Sequence, residues 1–347
     1  MLYRRLLRPF LFLFYPETVH SLAVGLLKLT LMFPGITYLY RKLFFIQRKN
    51  LERTVFGIRF SNPVGIAAGF DKNAQYYNEL AMLGFSFVEI GTVTPLAQPG
   101  NPRPRSFRLP DDQALINRMG INNNGAARIA ENLRKTRPDV IIGGNIGKNT
   151  NTPNDKAVDD YIECFKVLYE VVDYFVVNVS CPNIGDIKKL QDADTLVHIL
   201  SSLKDISKKM DVSKPILLKI SPDLNDSQLD ELVDIAFNTG IDGFVATNTT
   251  IRRDNLRSAS GTVAVAGQGG LSGKPLRDRS TEIIRYLVKK SEARIPVIGV
   301  GGIMDEKDAL EKLDAGASLI QVYTGFVYGG PGIAKRINRA IASGADE

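Results

Sequence analysis

At 347 residues, 44% of them hydrophobic and 23% charged, the chain has the composition of a globular protein, with room for one large α/β domain and an appendage. Two cysteines, Cys164 and Cys181, exclude a disulfide framework and point to a reducing compartment; two distant histidines, His20 and His198, exclude a zinc cluster. The net charge of +7 sits wholly in residues 1–50, where eight arginines and lysines face only Glu17, while residues 51–347 carry as many acidic as basic side chains and so lack the basic working face of a nucleic-acid binder.

The basic arm is also apolar. Read as a helix, its start puts Tyr3, Leu6, Leu7, Phe10 and Phe14 on one face and Arg4, Arg5 and Arg8 on another, with Pro9 delimiting it. A second helix is predicted from Pro16-Glu17 to Pro34, carrying Val19, Leu22, Ala23, Leu26, Leu27 and Met32, with Lys28 interrupting the apolar run. Neither segment offers the ~20 apolar residues of a bilayer span, and no clear small-residue cleavage site marks a signal peptide. The pair is expected to lie on a membrane surface as a basic amphipathic unit rather than to hold the rest of the chain together. A helical cap packed on the main domain is the other reading, and the two are compatible on different faces.

From about Leu51 short apolar strands alternate with helical stretches. Strands are predicted to end at Ala67, Thr92, Ile146, Ser180, Ser221, Asn248, Gly301 and Tyr323, with helices over 74–83, 123–136, 155–171, 192–210, 226–239, 277–291, 306–315 and 331–342. Eight consecutive strand–helix units predict an α/β fold, a (β/α)8 TIM barrel over 51–347 preceded by the helical extension 1–50. A doubly wound sheet accommodates eight units in this length less well. Segments 52–60 and 100–122 fall outside the eightfold repeat.

Chemistry in such barrels sits at the C-terminal strand ends. Those ends read Ala67-Ala68-Gly69-Phe70-Asp71-Lys72, Gly91-Thr92, Asn145-Ile146-Gly147-Lys148, Asn178-Val179-Ser180-Cys181-Pro182-Asn183, Lys219, Thr247-Asn248-Thr249, Gly299-Val300-Gly301-Gly302 and Tyr323-Thr324-Gly325. So many amides and lysines describe a ligand-filled mouth. Alone, the stretch from Asn178 reads equally as a ligand loop or as a polar strand exit with a buried cysteine. The glycines after the seventh strand, opposite Thr324-Gly325 after the eighth, fit a phosphate-bearing cofactor. Lys219, flanked by Leu218 and Ile220, is expected to point into the mouth and supply positive charge to a ring that becomes anionic on reduction.

Taken together, Ala67 to Lys72, Glu89-Ile90-Gly91-Thr92-Val93-Thr94-Pro95, Asn117-Arg118-Met119-Gly120, Asn145 to Lys148, Ala246-Thr247-Asn248-Thr249-Thr250, Gly269-Gly270-Leu271-Ser272-Gly273 and Gly299-Val300-Gly301-Gly302-Ile303 resemble the dihydroorotate dehydrogenases, specifically the quinone-linked class 2 family. The likeness covers nearly the whole chain, including the helical extension that the soluble class 1 enzymes lack. It implies FMN and oxidation of dihydroorotate to orotate, in pyrimidine synthesis, with a membrane quinone as the final acceptor. It assigns FMN to Ala68, Gly69, Phe70, Asp71, Lys72, Thr92, Asn145, Asn178, Lys219, Thr247, Gly273, Gly302, Tyr323 and Thr324. It assigns the substrate to Lys72, Asn117, Arg118, Met119, Gly120, Ile121, Asn178, Asn183, Asn248 and Thr249. Orotate is a planar ring of amide groups with one carboxylate, which asparagines and a lysine match. The resemblance also puts His20 and Arg108 beside a quinone channel, and implies a peripheral protein on the cytoplasmic side of the cell membrane with no obligate protein partner.

One position departs from that pattern. Class 2 enzymes usually carry serine where this chain has Cys181, a feature that resembles class 1. A thiol of pKa near 8.5 is a better base at neutral pH than a hydroxyl, so Cys181 is the expected general base. The departure leaves open an NAD-linked class 1 enzyme served by an iron–sulfur flavoprotein. A tRNA-modifying flavin barrel of the dihydrouridine synthase type is a further rival, opposed by the neutral charge of 51–347, and a non-enzymatic membrane-docking barrel would hold no flavin. The apolar arm favours the quinone reading.

Overall fold

The structure is a computed structural model that describes residues 3–33, 35–136, 139–179 and 193–344. The arm comprises a wide turn at Tyr3–Leu7, α1 (Arg8–Phe12), α2 (Pro16–Leu31) and α3 (Ile36–Phe44). A hairpin of β1 (Arg53–Val55) and β2 (Ile58–Phe60) leads to β3 (Val64–Asp71), α4 (Tyr77–Ala81), β4 (Phe87–Val93), β5 (Ser106–Leu109), β6 (Ala114–Asn117), α5 (Ala126–Lys135), β7 (Ile141–Ile146), α6 (Ala157–Leu168) and β8 (Tyr174–Val177). There follow α7 (Ala193–Ser207), β9 (Ile216–Ile220), α8 (Asp226–Thr239), β10 (Gly243–Ala246), α9 (Ser260–Ala266), β11 (Gly270–Gly273), α10 (Arg277–Lys290), β12 (Val297–Val300), α11 (Glu306–Asp314), β13 (Leu319–Val322), α12 (Thr324–Gly329) and α13 (Ile333–Gly344).

Eight of these strands close a parallel barrel in the order β10-β12-β13-β3-β4-β7-β8-β9. The ends expected at Thr92, Ile146, Ser221, Asn248, Gly301 and Tyr323 lie within two residues of those observed. The first strand runs past the expected Ala67 to Asp71, because an irregularity between Ile66 and Asp71, with Gly69 at φ 93°, lets Asp71 pair again with Ile90. Regular pairing of β8 stops at Val177, and Ser180 lies outside the described residues.

Inward side chains alternate along each strand and build layers. Phe87, Tyr174, Leu217 and Leu319 fill an apolar layer that the β1–β2 hairpin closes from below, with the Phe60 and Phe87 rings 5.3 Å apart. Gly143 pairs with Tyr174, and a Cβ there would overlap the tyrosine ring, so the glycine makes room for its aromatic neighbour. Two residues beyond Phe87, Gly143, Leu217 and Leu319, the strands β4, β7, β9 and β13 present Glu89, Asn145, Lys219 and Gln321, all buried.

Segments 52–60 and 100–122 lie outside the eightfold repeat as expected, but two features were not visible in the sequence, the strand β11 and the helix α3. The segment 100–122 supplies β5 and β6 to a three-stranded antiparallel sheet completed by β11. Gly270-Leu271-Ser272-Gly273 has no alternating apolar pattern, so nothing in its sequence marks it as a strand. The arm holds a third helix, α3, set at 117° to α2 after a left-handed turn at Gly35.

The first faces also differ from the helical projection. Tyr3 turns inward and its hydroxyl donates to the Val327 carbonyl (2.7 Å), while Arg8 lies over Phe12 and Tyr328. Leu6, Leu7, Phe10 and Phe14 remain exposed, as do Arg4 and Arg5. The cause is the wider winding of Tyr3–Leu7, which rotates residue 3 away from the 3.6-residue register. The arm also contributes to the barrel's cohesion: Val24 is buried in the main core, and Glu17 pairs with the buried Arg105. Among the described residues no single helix is long and apolar enough to cross a membrane.

Candidate active site at the barrel mouth

The site is built outward from one carboxylate. Glu89, fully buried on β4, accepts from Asn145 Nδ2 of β7 (2.8 Å) and Gln321 Nε2 of β13 (2.6 Å), and pairs with Lys219 Nζ of β9 at 3.3 Å. A buried charge pair endures only when its remaining groups are hydrogen-bonded, and the two amides provide that. Lys219 points into the barrel as expected, but its charge meets a counter-ion.

From Asn145 a chain of side chains runs up to the rim. Thr92 Oγ1 donates to Asn145 Oδ1 (2.6 Å), Asn178 Nδ2 donates to Thr92 Oγ1 (2.9 Å) and Asn248 Nδ2 donates to Asn178 Oδ1 (3.3 Å). Asn248 Oδ1 then accepts from Thr249 N (2.9 Å). Five residues expected at the cofactor and substrate thus form one network across β4, β7, β8 and β10. Thr247 adjoins it, its hydroxyl donating to the Asn248 carbonyl.

At the end of β3, Lys72 Nζ donates to the Gly69 carbonyl (2.8 Å), which also meets Tyr323 OH at 3.5 Å. Burial lowers Lys72 to a pKa of about 8, against the pull of Glu17. The Asp71 carboxylate accepts from the main-chain N–H groups of Gln75 and Tyr76, so it shapes the loop; burial raises it to about 6. Phe70 packs against His20, Tyr323 and Phe326. Ala68 and Gly69 offer main chain.

A third wall comes from the ends of β11, β12 and β13. Gly301 and Gly302 have φ of 118° and 76°, which turn the chain sharply, and Thr324 Oγ1 meets Ser272 Oγ at 2.8 Å beside Gly273. A Cβ on Gly302 would overlap Arg277, so only glycine lets these main chains approach. Tight glycine turns and a hydroxyl pair suit a phosphate, and the amides and lysines suit a planar polar ring, so the residues present fit FMN.

The segment Asn117 to Ile121 leaves the small sheet at the end of β6. Asn117 lies at its edge near the Gly270 carbonyl, and the Gly120 and Ile121 carbonyls accept from Gln98 Nε2 (3.2 and 3.0 Å). Arg118 points elsewhere: its guanidinium donates to the Pro104 carbonyl and covers the Phe107 ring. The Met119 carbonyl accepts from Asn101 N (3.1 Å). Cys181 and Asn183 lie outside the described residues.

His20 and Arg108 sit where the arm meets this mouth. The His20 ring lies 4.8 Å from Phe70, and burial with nearby Lys72 holds it down at about 4, neutral at pH 7. Arg108 Nη1 donates to the Phe14 carbonyl (2.6 Å) and its guanidinium covers Phe12, while its buried Nε lacks a partner among the described residues.

Sequence reasoning passed over Glu89, Gln321, Gln98, Glu17 and Arg105. A lone glutamate in the apolar run Phe87–Ile90 and a lone lysine in Leu217–Ile220 were a legible signal, since two opposite charges in buried strands must meet.

A family model described as dihydroorotate dehydrogenase matches residues 50–344. A Christiangramia forsetii protein named dihydroorotate dehydrogenase (quinone) is 51% identical over 340 residues, 98% of each chain. A Synechococcus protein of the same name is 46% identical, over 99% of this chain and 93% of its own. A ligand-free DHODH structure from Eimeria tenella superposes with a TM-score of 0.84 at 34% identity, covering 96% of this chain and 95% of that one. The barrel, its amide-lined mouth, the model match and the full-length relatives agree: this chain belongs to the dihydroorotate dehydrogenase family.

Proposed function

We propose that the chain oxidises dihydroorotate to orotate with FMN as hydride acceptor and delivers the electrons to a membrane quinone, a step of pyrimidine synthesis. The observation that carries the reading is the continuous network from Glu89 through Asn145, Thr92 and Asn178 to Asn248 at the barrel mouth. Relatives along the whole length bear the quinone-linked name, so the NAD-linked class 1 alternative is not favoured.

Ala68 to Lys72, Thr92, Asn145, Asn178, Lys219, Thr247, Gly273, Gly302, Tyr323 and Thr324 would hold FMN, which when bound supplies the hydride acceptor. Asn178 and Asn248, with Asn117 and Asn183, hold the amide edges of the substrate ring, and Lys72 pairs with its carboxylate. Cys181 removes the ring proton as hydride leaves the neighbouring carbon. His20, neutral, and the Arg108 Nε–H donor border the path of the quinone.

Lys72 gives the substrate site a pH dependence. Its charged form is present below about 8 and is lost above it. Orotate should therefore bind about tenfold more weakly at pH 9 than at pH 7, the scale of one charge-assisted hydrogen bond. Calorimetric titration of orotate across that range checks this; affinity independent of pH, or an equal slope in Lys72→Met, would contradict it.

The membrane assignment rests on the outer face of the arm. Leu22, Leu26, Leu29, Met32 and Phe33 are exposed there with Leu6, Leu7, Phe10 and Leu13, beside exposed Arg4, Arg5, Arg41 and Lys42. Each arginine near an anionic surface contributes on the order of 1 kcal/mol. The resulting location is the cytoplasmic side of the cell membrane, with the protein bound peripherally. Replacing Leu22, Leu26 and Leu29 with serine should weaken binding to anionic liposomes at least about tenfold and slow turnover with membrane quinone, while orotate affinity stays unchanged. Equal liposome binding would sink this assignment.

A further inference from the structure

We infer that α2 of the arm positions the substrate loop of the barrel, through Glu17 and Tyr15 acting on Arg105, so that docking of the arm sets affinity for dihydroorotate itself. The inference rests on the dihydroorotate reading and gives the arm a role in the half of the reaction that involves neither quinone nor membrane.

Arg105 is the junction, with 7% of its side chain exposed. Toward the arm, its Nε donates to Glu17 Oε1 (3.1 Å) and its Nη2 to Glu17 Oε2 (3.1 Å), and its main-chain N–H donates to Tyr15 OH (2.8 Å). Toward the barrel, Nη1 donates to the Pro99 carbonyl (2.7 Å) and the Asn101 carbonyl (3.0 Å). The next bonds reach the substrate loop directly. The Arg105 carbonyl accepts from Arg118 N (2.9 Å), Asn101 Nδ2 donates to the Arg118 carbonyl (2.9 Å), and Asn101 N donates to the Met119 carbonyl (3.1 Å).

The arm thus holds one side of residues 117–121, and Gln98 holds the other. A buried guanidinium fixes a loop only while its carboxylate is in place. Removing that partner leaves the charge to recruit water or move, and the loop moves with it. Arg103 also reaches Glu17 (3.3 Å), but it is 70% exposed and contributes little.

Glu17→Gln in the full-length holoenzyme tests the inference, with orotate titrated at pH 6, well below the value of about 8 at which Lys72 loses its charge, so that the loss of Glu17 does not act through Lys72. Orotate dissociation constants from calorimetry should rise about tenfold, and the dihydroorotate concentration that half-saturates flavin reduction should rise in parallel. The limiting rate should remain within about twofold, because the reacting groups are untouched. Glu17→Asp should recover much of the affinity, and Tyr15→Phe, which removes only one hydroxyl, should show a smaller shift of the same sign. An unchanged orotate affinity in Glu17→Gln overturns the inference. If that variant loses its flavin, Tyr15→Phe decides: a weaker orotate affinity supports the inference and wild-type affinity overturns it. Wild-type protein that binds no orotate would instead overturn the dihydroorotate reading, and this inference with it.

Discussion

Cys181→Ala is expected to retain FMN and bind orotate, yet to reduce its flavin with dihydroorotate about 10²–10⁴-fold more slowly, the usual consequence of deleting a positioned base. Cys181 follows Asn178 by three residues, and Asn178 is fixed at the end of β8 by its bond to Thr92 and by Tyr161 OH on its carbonyl (3.0 Å). The thiol is therefore tethered within three residues of an anchored point, Asn178. Cys181→Ser should keep more activity than alanine but require higher pH, since a hydroxyl yields its proton less readily than a thiol. At pH 7 a thiol of pKa ~8.5 is only about 3% ionised, so the wild-type rate should itself climb with pH. Single-turnover flavin bleaching from pH 6 to 9 measures all three proteins. An alanine variant that matches wild type at saturating dihydroorotate would return Cys181 to the role of a bystander beside the site.

Glu89→Ala should strongly destabilise the barrel. It leaves Lys219 buried without its carboxylate, and it removes the acceptor of both Asn145 and Gln321. Breaking a buried pair from one side costs about 3–5 kcal/mol, which should appear as a large fall in the urea midpoint together with loss of FMN. Replacing both members, Glu89→Leu with Lys219→Met, should recover much of the stability, because no charge is then left buried. It should not recover flavin binding, because Lys219 is one of the residues expected to hold FMN. A Glu89→Ala protein with the wild-type midpoint would show that the mouth is not organised around this carboxylate.

The barrel was legible because its strands are short apolar runs with β-branched residues, whose ends fall at glycine or polar residues such as Gly301 and Asn248. The rim was legible for the same reason: asparagines and lysines stand out at the ends of buried strands. The layer beneath was harder to read. Glu89 and Gln321 act through partners on strands far apart in sequence, and only the closed barrel brings them to Asn145 and Lys219. The small sheet escaped notice because β11 joins it from beyond β10, across more than 150 residues from β6, with a glycine at each end. In the arm, amphipathicity marked Leu6, Leu7, Leu22 and Leu26, which are exposed, but also Leu27, which packs against the core, and an ion pair such as Glu17–Arg105 spans 88 residues and leaves no periodic trace.

Anaerobic mixing of the purified full-length protein with dihydroorotate, followed by addition of a soluble quinone, tests the central claim most directly. A visible flavin spectrum should bleach on the first addition and return on the second, with NAD unable to replace the quinone. A protein without flavin absorbance, or one whose bleached flavin is reoxidised by NAD and not by quinone, would contradict it.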